Sequence, residues 1–304
     1  MRSGKRLNMK ILLVYNPKAA NGKAGRYIND VMSELEKRDI HADLLETSSP
    51  GHAVDLVKDR DLTGYDGVVA GGGDGTIFEV LNGYYANPKK DKPPMGFLPV
   101  GTGNAFVRDM KLKTGDWKDA IDIIDAGKIR PVDVGKFTIK GNEYYFLNIL
   151  GIGFVADVNK VAQKLKMFGN LSYSIGVIYK LILLKNYKVS LELDGKKIER
   201  DNIFIEVSNT RYTSNFLMAP TAETDDGLLD ITLLNKTSRR RMLQCFPKIF
   251  TGDHVKMDEV ETFKAKRILI DTELPKELTP DGEMFGRSPL EIECLHKDIK
   301  VFWR

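Results

Sequence analysis

Residues 67–81 read Gly67-Val68-Val69-Ala70-Gly71-Gly72-Gly73-Asp74-Gly75-Thr76-Ile77-Phe78-Glu79-Val80-Leu81. Gly67 to Ala70 is a short apolar run that reads as a buried strand, and Ile77, Val80 and Leu81 recur at helical spacing behind it. Four glycines and Asp74 lie between them. Glycines at such a junction let backbone N–H groups approach a phosphate, while the helix N-terminus supplies positive potential. A tight strand-to-helix turn is the plainer alternative, although four glycines exceed what a turn requires. No GxxxxGK[ST] loop exists in the chain, and a GxGxxG fingerprint fails because Thr76 stands where its last glycine would be.

The same strand–helix unit repeats on both sides of this stretch. Upstream, Ile11 to Tyr15 is an apolar run ended by Asn16-Pro17, and Ile28, Val31, Met32 and Leu35 then follow a helical period. Ala42 to Glu46 reads as a strand, and Pro50 can open a short helix containing Ala53, Leu56 and Val57. Downstream, Gly96 to Val100 is a fourth strand with another glycine turn and helix behind it. Repeated units of this kind predict a parallel sheet covered on both faces.

From about Pro131 short strand-like segments dominate: Tyr144–Ile149, Lys188–Leu193, Ile203–Val207, Leu229–Leu234, Ile268–Ile270 and Leu290–Glu293. Asp194-Gly195 between two of them is a two-residue hairpin signal. Helical stretches over about 159–184 and after Ser238 interrupt the pattern. The expected architecture is a tail over 1–9, an α/β domain with a parallel sheet over 10–130, and a mainly antiparallel β-sandwich over 131–304. The last strand of the second domain can pack back on the first.

Two further polar loops follow strands. Pro99-Val100-Gly101-Thr102-Gly103-Asn104 lies at the end of the fourth, and Asn16-Pro17-Lys18-Ala19-Ala20-Asn21-Gly22-Lys23 at the end of the first. Three loops at the carboxyl ends of parallel strands suit a nucleoside triphosphate better than one does. The remaining composition excludes other classes. Two cysteines, Cys245 and Cys294, form no CxxC pair, and four scattered histidines give no metal spacing. Leu171 to Leu184, the longest apolar segment, is broken by Lys180 and falls short of the roughly 20 residues that span a bilayer. The N-terminal MRSGKRLNMK reads as a short tail and not a signal peptide, so a cytoplasmic protein is expected.

Taken with their neighbours, these loops resemble those of the diacylglycerol kinase and sphingosine kinase superfamily, which shares its GGDGT loop with NAD kinases. NPKAANGK is similar to the first nucleotide loop of that superfamily, and Thr47-Ser48-Ser49-Pro50-Gly51-His52-Ala53 to its second-strand phosphate contact. GGGDGTIFEVLNG, LPVGTGNAF, Gly151-Ile152-Gly153-Phe154, Asp225-Asp226-Gly227-Leu228-Leu229-Asp230 and Asp281-Gly282-Glu283 match in type and spacing. The resemblance runs from Ile11 to Trp303. It implies an ATP- and Mg²⁺-dependent lipid kinase active in phospholipid metabolism, with a membrane lipid as substrate.

The resemblance also implies roles. Asn16, Pro17, Lys18, Ala19 and Ala20, Thr47, the stretch Gly72, Gly73, Asp74, Gly75, Thr76, Ile77 and Phe78, and Thr102 would hold the nucleotide, with Asp74 on the metal–nucleotide complex. Glu283, with Asp281 as its rival, would take the proton of the lipid hydroxyl. Asp226, with the backbone carbonyls of Glu223 and Leu228 and water, would ligate a second, structural Mg²⁺. On residues alone, DGE and DDG are equally well acidic turns.

Ala105 stands where many bacterial diacylglycerol kinases of the family carry aspartate, as in the sphingosine and ceramide kinase branch. Asp157, in a segment similar to the sphingosine kinase version, is a candidate partner for a sphingoid amine, with a surface aspartate as the alternative. Two segments, Lys160–Lys188 and Arg239–Phe250, set basic residues beside apolar ones and suit peripheral contact with anionic membrane; solvated basic faces over core-packed helices are the alternative. Neither resembles a nucleic-acid module, so no nucleic-acid partner is expected. The rival readings are an NAD kinase and a non-catalytic nucleotide- or lipid-binding protein; a homodimer stays open.

Overall fold

In the computed structural model, which describes residues 8–153 and 186–304, the early apolar runs become four strands: β1 (Met9–Tyr15), β2 (Ile40–Glu46), β3 (Gly67–Gly72) and β4 (Met95–Pro99). They pair in parallel in the order β4-β3-β1-β2. Between and after them run α1 (Ala24–Glu36), α2 (His52–Lys58), α3 (Asp74–Ala86), α4 (Ala105–Asp109) and α5 (Trp117–Ala126). β3 and β4 are buried along their whole length, as expected of strands with helices on both faces. Gly83 lets α2 and α3 pack closely, since a Cβ there would lie 2.5 Å from the Val54 carbonyl oxygen. α2 begins at His52, not Pro50, because Gly51 turns left-handed (φ 85°) and the Glu79 carboxylate accepts the Gly51 and Ala53 N–H groups at 2.7 and 3.2 Å.

The chain forms two compact units, Met1–Val132 with Lys297–Arg304, and Asp133–His296. In the first, the strand order sends the chain to one side after β1 and to the other after β3. The crevice at the carboxyl ends of these two strands is therefore a topological switch point, where open α/β sheets bind ligands. The last residues close this unit. Val301 pairs in parallel with Met95, the Trp303 N–H donates to the Lys128 carbonyl at 2.9 Å, and the Phe302 ring fills the space over Gly67, where a Cβ would meet it at 2.6 Å.

The second unit holds β5 (Ile129–Ile139) from Asp133 onward, β6 (Asn142–Phe146), β7 (Ile149–Gly153), β8 (Tyr187–Leu193), β9 (Lys196–Ser208), β10 (Tyr212–Thr213), β11 (Phe216–Leu217), β12 (Leu229–Asn235), α6 (Arg239–Lys248), β13 (Val260–Ala265), β14 (Arg267–Thr272), β15 (Leu278–Pro280) and the start of β16 (Leu290–Phe302). Its strand pairs, including β12–β13, β12–β9, β8–β9, β14–β8, β14–β16, β7–β9 and β15–β7, are antiparallel. Asp194 and Gly195 both take positive φ (46° and 86°), the hairpin geometry their sequence predicts, and Lys140-Gly141 do the same between β5 and β6. The expected strand Tyr144–Ile149 is instead two strands, since the N–H groups of Leu147, Asn148 and Ile149 turn to a side chain. The helix expected over 159–184 lies outside the described residues. In α6, Ser238 accepts the Arg241 N–H at 3.3 Å, and Met242 and Cys245 are buried with Ile203, Leu234, Met257 and Val260. Burial of each large aliphatic side chain contributes about 1.5–3 kcal/mol.

Candidate active site

At the switch point of the first unit, the loops after β1, β3 and β4 interlock. The Asn16 N–H donates to the Gly71 carbonyl at 2.8 Å, its amide Nδ2 to Thr76 Oγ1 at 3.3 Å, and its Oδ1 accepts the Lys18 N–H at 3.0 Å. Pro17 and Ala19 accept N–H bonds from Gly25 and Ala24 at the start of α1. Ala20 and Asn21 are left-handed (φ 51° and 57°), which curls the loop above the helix. Lys18 Nζ reaches the Ser48 carbonyl at 2.7 Å, and buried Thr47 donates its N–H to Tyr15 at 2.8 Å, so the end of β2 joins the same group.

The glycine loops meet backbone to backbone. The Gly101 N–H donates to the Gly72 carbonyl at 2.9 Å and the Asp74 N–H to Gly103 at 3.1 Å. A Cβ on Gly101 would lie 2.3 Å from Gly73 Cα, a backbone contact that requires glycine, and one on Gly103 would lie 2.6 Å from Asp74 Oδ2. Asp74 Oδ1 accepts the Ala105 N–H at 2.8 Å and thereby caps α4. Gly75 and buried Thr76 lie in the first turn of α3. The Ile77 N–H donates to Gly73 at 3.1 Å, and the Ile77 and Phe78 side chains pack inward. Thr102 is exposed at the loop tip. Glycine-rich backbone, a helix N-terminus, a lysine and an aspartate at one switch point suit a polyphosphate.

In the second unit, the turn after β15 separates its two acids. Asp281 is 4% exposed and left-handed (φ 46°); its carboxylate accepts the N–H groups of Leu147, Asn148 and Ile149 at 3.1, 2.9 and 3.0 Å. Burial pushes its carboxyl up to about 6 against those three donors, which favour the anion. Glu283, two residues on, is exposed. Its N–H is held by the Pro280 carbonyl at 2.9 Å, and Phe285 behind it packs edge-on against Tyr144 at 4.5 Å and Phe137 at 5.9 Å. A rigid turn thus carries Glu283 on the surface of its unit.

The DDGLLD segment turns into β12, whose first residues are Leu229 and Asp230. Asp226 Oδ1 accepts the Leu228 N–H at 3.0 Å, and Oδ2 pairs with Lys264 Nζ at 2.8 Å, which also reaches Asp230 at 3.2 Å. Glu223 is exposed beside it. No group of three or more His, Cys, Asp or Glu side chains poised for a metal occurs among the described residues. Asp157 lies outside them.

The comparisons with known proteins agree with this geometry. A model of the diacylglycerol kinase catalytic domain matches residues 10–137, and one of the YegS C-terminal NAD kinase beta sandwich-like domain matches residues 148–303. The chain is 30% identical over 292 residues to the diacylglycerol kinase of Bacillus subtilis (strain 168), covering 95% of this chain and 94% of that protein. The chain belongs to the diacylglycerol kinase family. The diacylglycerol kinase of Mycobacterium tuberculosis (strain ATCC 25618 / H37Rv) is 31% identical over 297 residues, covering 96% and 94%. The crystal structure of a diacylglycerol kinase from Bacillus anthracis str. Sterne is similar with a TM-score of 0.79 at 28% identity, covering 99% of both chains. Membership of this family over nearly the full chain makes the protein a lipid kinase, and the expected α/β plus β-sandwich architecture holds.

Three polar groups at or near these sites were not legible in the sequence. Glu79 caps α2 beside Ser48. Asp133, fully buried, accepts the Gly227 N–H at 2.7 Å and lies 3.0 Å from His296 Nδ1, fixing the DDG turn from 94 positions away. Glu206 is buried on β9, where it accepts hydrogen bonds from Thr213 at 2.5 Å and Ser208 at 3.3 Å, and burial pushes its carboxyl up to about 7. No short-range pattern marks such residues, because their partners are brought together only by the fold.

Proposed function

We propose that this enzyme transfers the γ-phosphoryl group of ATP to the hydroxyl of a membrane lipid. The observation that carries the reading is the glycine-built crossing at the β1/β3 switch point, where Lys18, Asp74 and the start of α3 face one crevice. The relatives' name makes diacylglycerol the first acceptor to test, with a sphingoid base as the second. In the reaction a lipid oxygen bonds to the γ-phosphorus, the bond from that phosphorus to the β-bridging oxygen breaks, and ADP leaves. Glu283 takes the hydroxyl proton. Asp281 acts as a positioning residue, since its oxygens already hold three backbone N–H groups.

Mg²⁺, when bound, neutralises charge on the phosphate oxygens. The acidic turn suits such an ion by chemistry. Its donors are oxygens, and a cation, the Lys264 ammonium, is already drawn to Asp226. Asp226 and the backbone carbonyls of Glu223 and Leu228 would hold the structural ion, and Asp74 would face the nucleotide-bound one.

The test is transfer of labelled γ-phosphate, with Mg²⁺, to diacylglycerol, sphingosine, ceramide and monoacylglycerol in mixed micelles, with NAD alongside. Labelled lipid is expected, lost by about 10²-fold or more in Glu283→Gln, whose melting temperature stays that of the parent. Label in NAD alone would move the chain to the NAD kinases. Unchanged lipid transfer by Glu283→Gln would remove that residue from the chemistry.

A further inference from the structure

We propose that the outward face of α6, with the turn that ends it, is the surface on which this lipid kinase rests against an anionic bilayer. The inference rests on the lipid-kinase reading only for where the substrate resides. The helix has a fixed rotation. Met242 and Cys245 are buried, and Phe246 and Ile249 pack against the cluster that receives them. Arg239, Arg240, Leu243, Pro247, Lys248 and Phe250 consequently face solvent.

Leu243 is 53% exposed and Phe250 47%, placing two of the large exposed apolar side chains of the molecule on one short element. Phe250 does not dangle; its ring lies edge-on to Phe216 at 4.9 Å and to Phe246 at 5.7 Å, so its exposure is built in. The cations divide in the same way. Arg241, turned toward the body of its unit, is held by Glu259 through two bonds of 2.5 and 2.9 Å. Arg239, Arg240 and Lys248 make no ion pair among the described residues.

Cations outside ion pairs, Arg239 and Arg240 foremost, beside a protruding leucine and phenylalanine match the two layers of a bilayer surface. The guanidinium groups meet headgroup phosphates, and the apolar pair enters the acyl boundary. A nucleic acid would engage the cations but give Leu243 nothing to bury against.

Sedimentation of the full chain with vesicles, in the absence of nucleotide, tests this directly. Phosphatidylcholine vesicles are compared with vesicles also containing phosphatidylglycerol, at low and high salt. The parent is expected to bind the anionic vesicles and to lose binding as salt rises. Arg239→Gln with Arg240→Gln should weaken binding about thirty-fold, at about 1 kcal/mol per basic side chain. Leu243→Ser with Phe250→Ser should weaken it even where salt has screened the charges. Melting temperatures and transfer to detergent-dispersed lipid confirm that each variant is folded.

Equal sedimentation of parent and both variants, or no preference for anionic vesicles, would overturn the inference. The same holds if only the arginine variant loses binding, since that pattern points to a polyanion. A parent that binds anionic vesicles through α6 yet transfers no phosphate supports the surface and sinks only the proposed activity.

Discussion

Glu206 illustrates how a single buried carboxyl couples this molecule to pH. Its folded pKa lies near 7, while an unfolded glutamate titrates near 4.5. Between those values the folded chain keeps a proton that the unfolded chain releases, so stability falls as pH rises from about 4.5 to about 7 and stays low above. Glu206→Gln keeps the acceptor for Thr213 and Ser208 but cannot ionise. Denaturant melts at pH 8 should show the variant more stable by about 3–3.5 kcal/mol, at about 1.4 kcal/mol per pKa unit. The gap should close near pH 4.5. Legibility at this scale was partial. The DGE motif stood out in the sequence, but the bonds of Asp281 did not, because their donors lie 132 to 134 positions away.

At the scale of elements, the crossing of the two glycine loops is the most constrained feature of the first unit. Gly101→Ala would drive a methyl into the Gly73 backbone, which is no flexible side chain that can swing aside. Overpacking of this kind costs about 1–3 kcal/mol, so ATP affinity measured by calorimetry should drop by about tenfold or more. The strands and helices around the crossing were readable because apolar residues there follow clean periods. β5 was not. It contains Pro131, Asp133, Gly135 and Lys136, which weaken any strand signal. Its place in the sheet depends on partners such as Phe146, whose ring would lie 2.1 Å from a Cβ on Gly135. The Tyr144–Ile149 run misled for the opposite reason: it is almost continuously apolar, but a distant carboxylate takes the N–H groups at its end.

At the scale of the whole molecule, fold class followed from the change of pattern near Pro131, since βα repeats and hairpin spacings rest on local chemistry. Residues 297–304 are held in the first unit by Val301 beside Met95, Phe302 over Gly67, and Trp303 against Phe106 at 6.2 Å. Deleting them removes the buried ring of Phe302, a loss of about 3–5 kcal/mol for a core aromatic. Hydrogen exchange should then accelerate in β4 and β3, while β8, β9 and β12 keep their protection. Equal protection in both units after the deletion would show that these residues are dispensable.

That arrangement also sets the order of events on the ribosome. The first unit is translated first but cannot be finished first, because its closing residues leave the exit tunnel only after all of 133–296 have been made. The nascent chain therefore carries the β1/β3 crevice without its closing residues throughout synthesis of the β-sandwich, and a late nonsense codon takes its residues from the unit that was begun earliest.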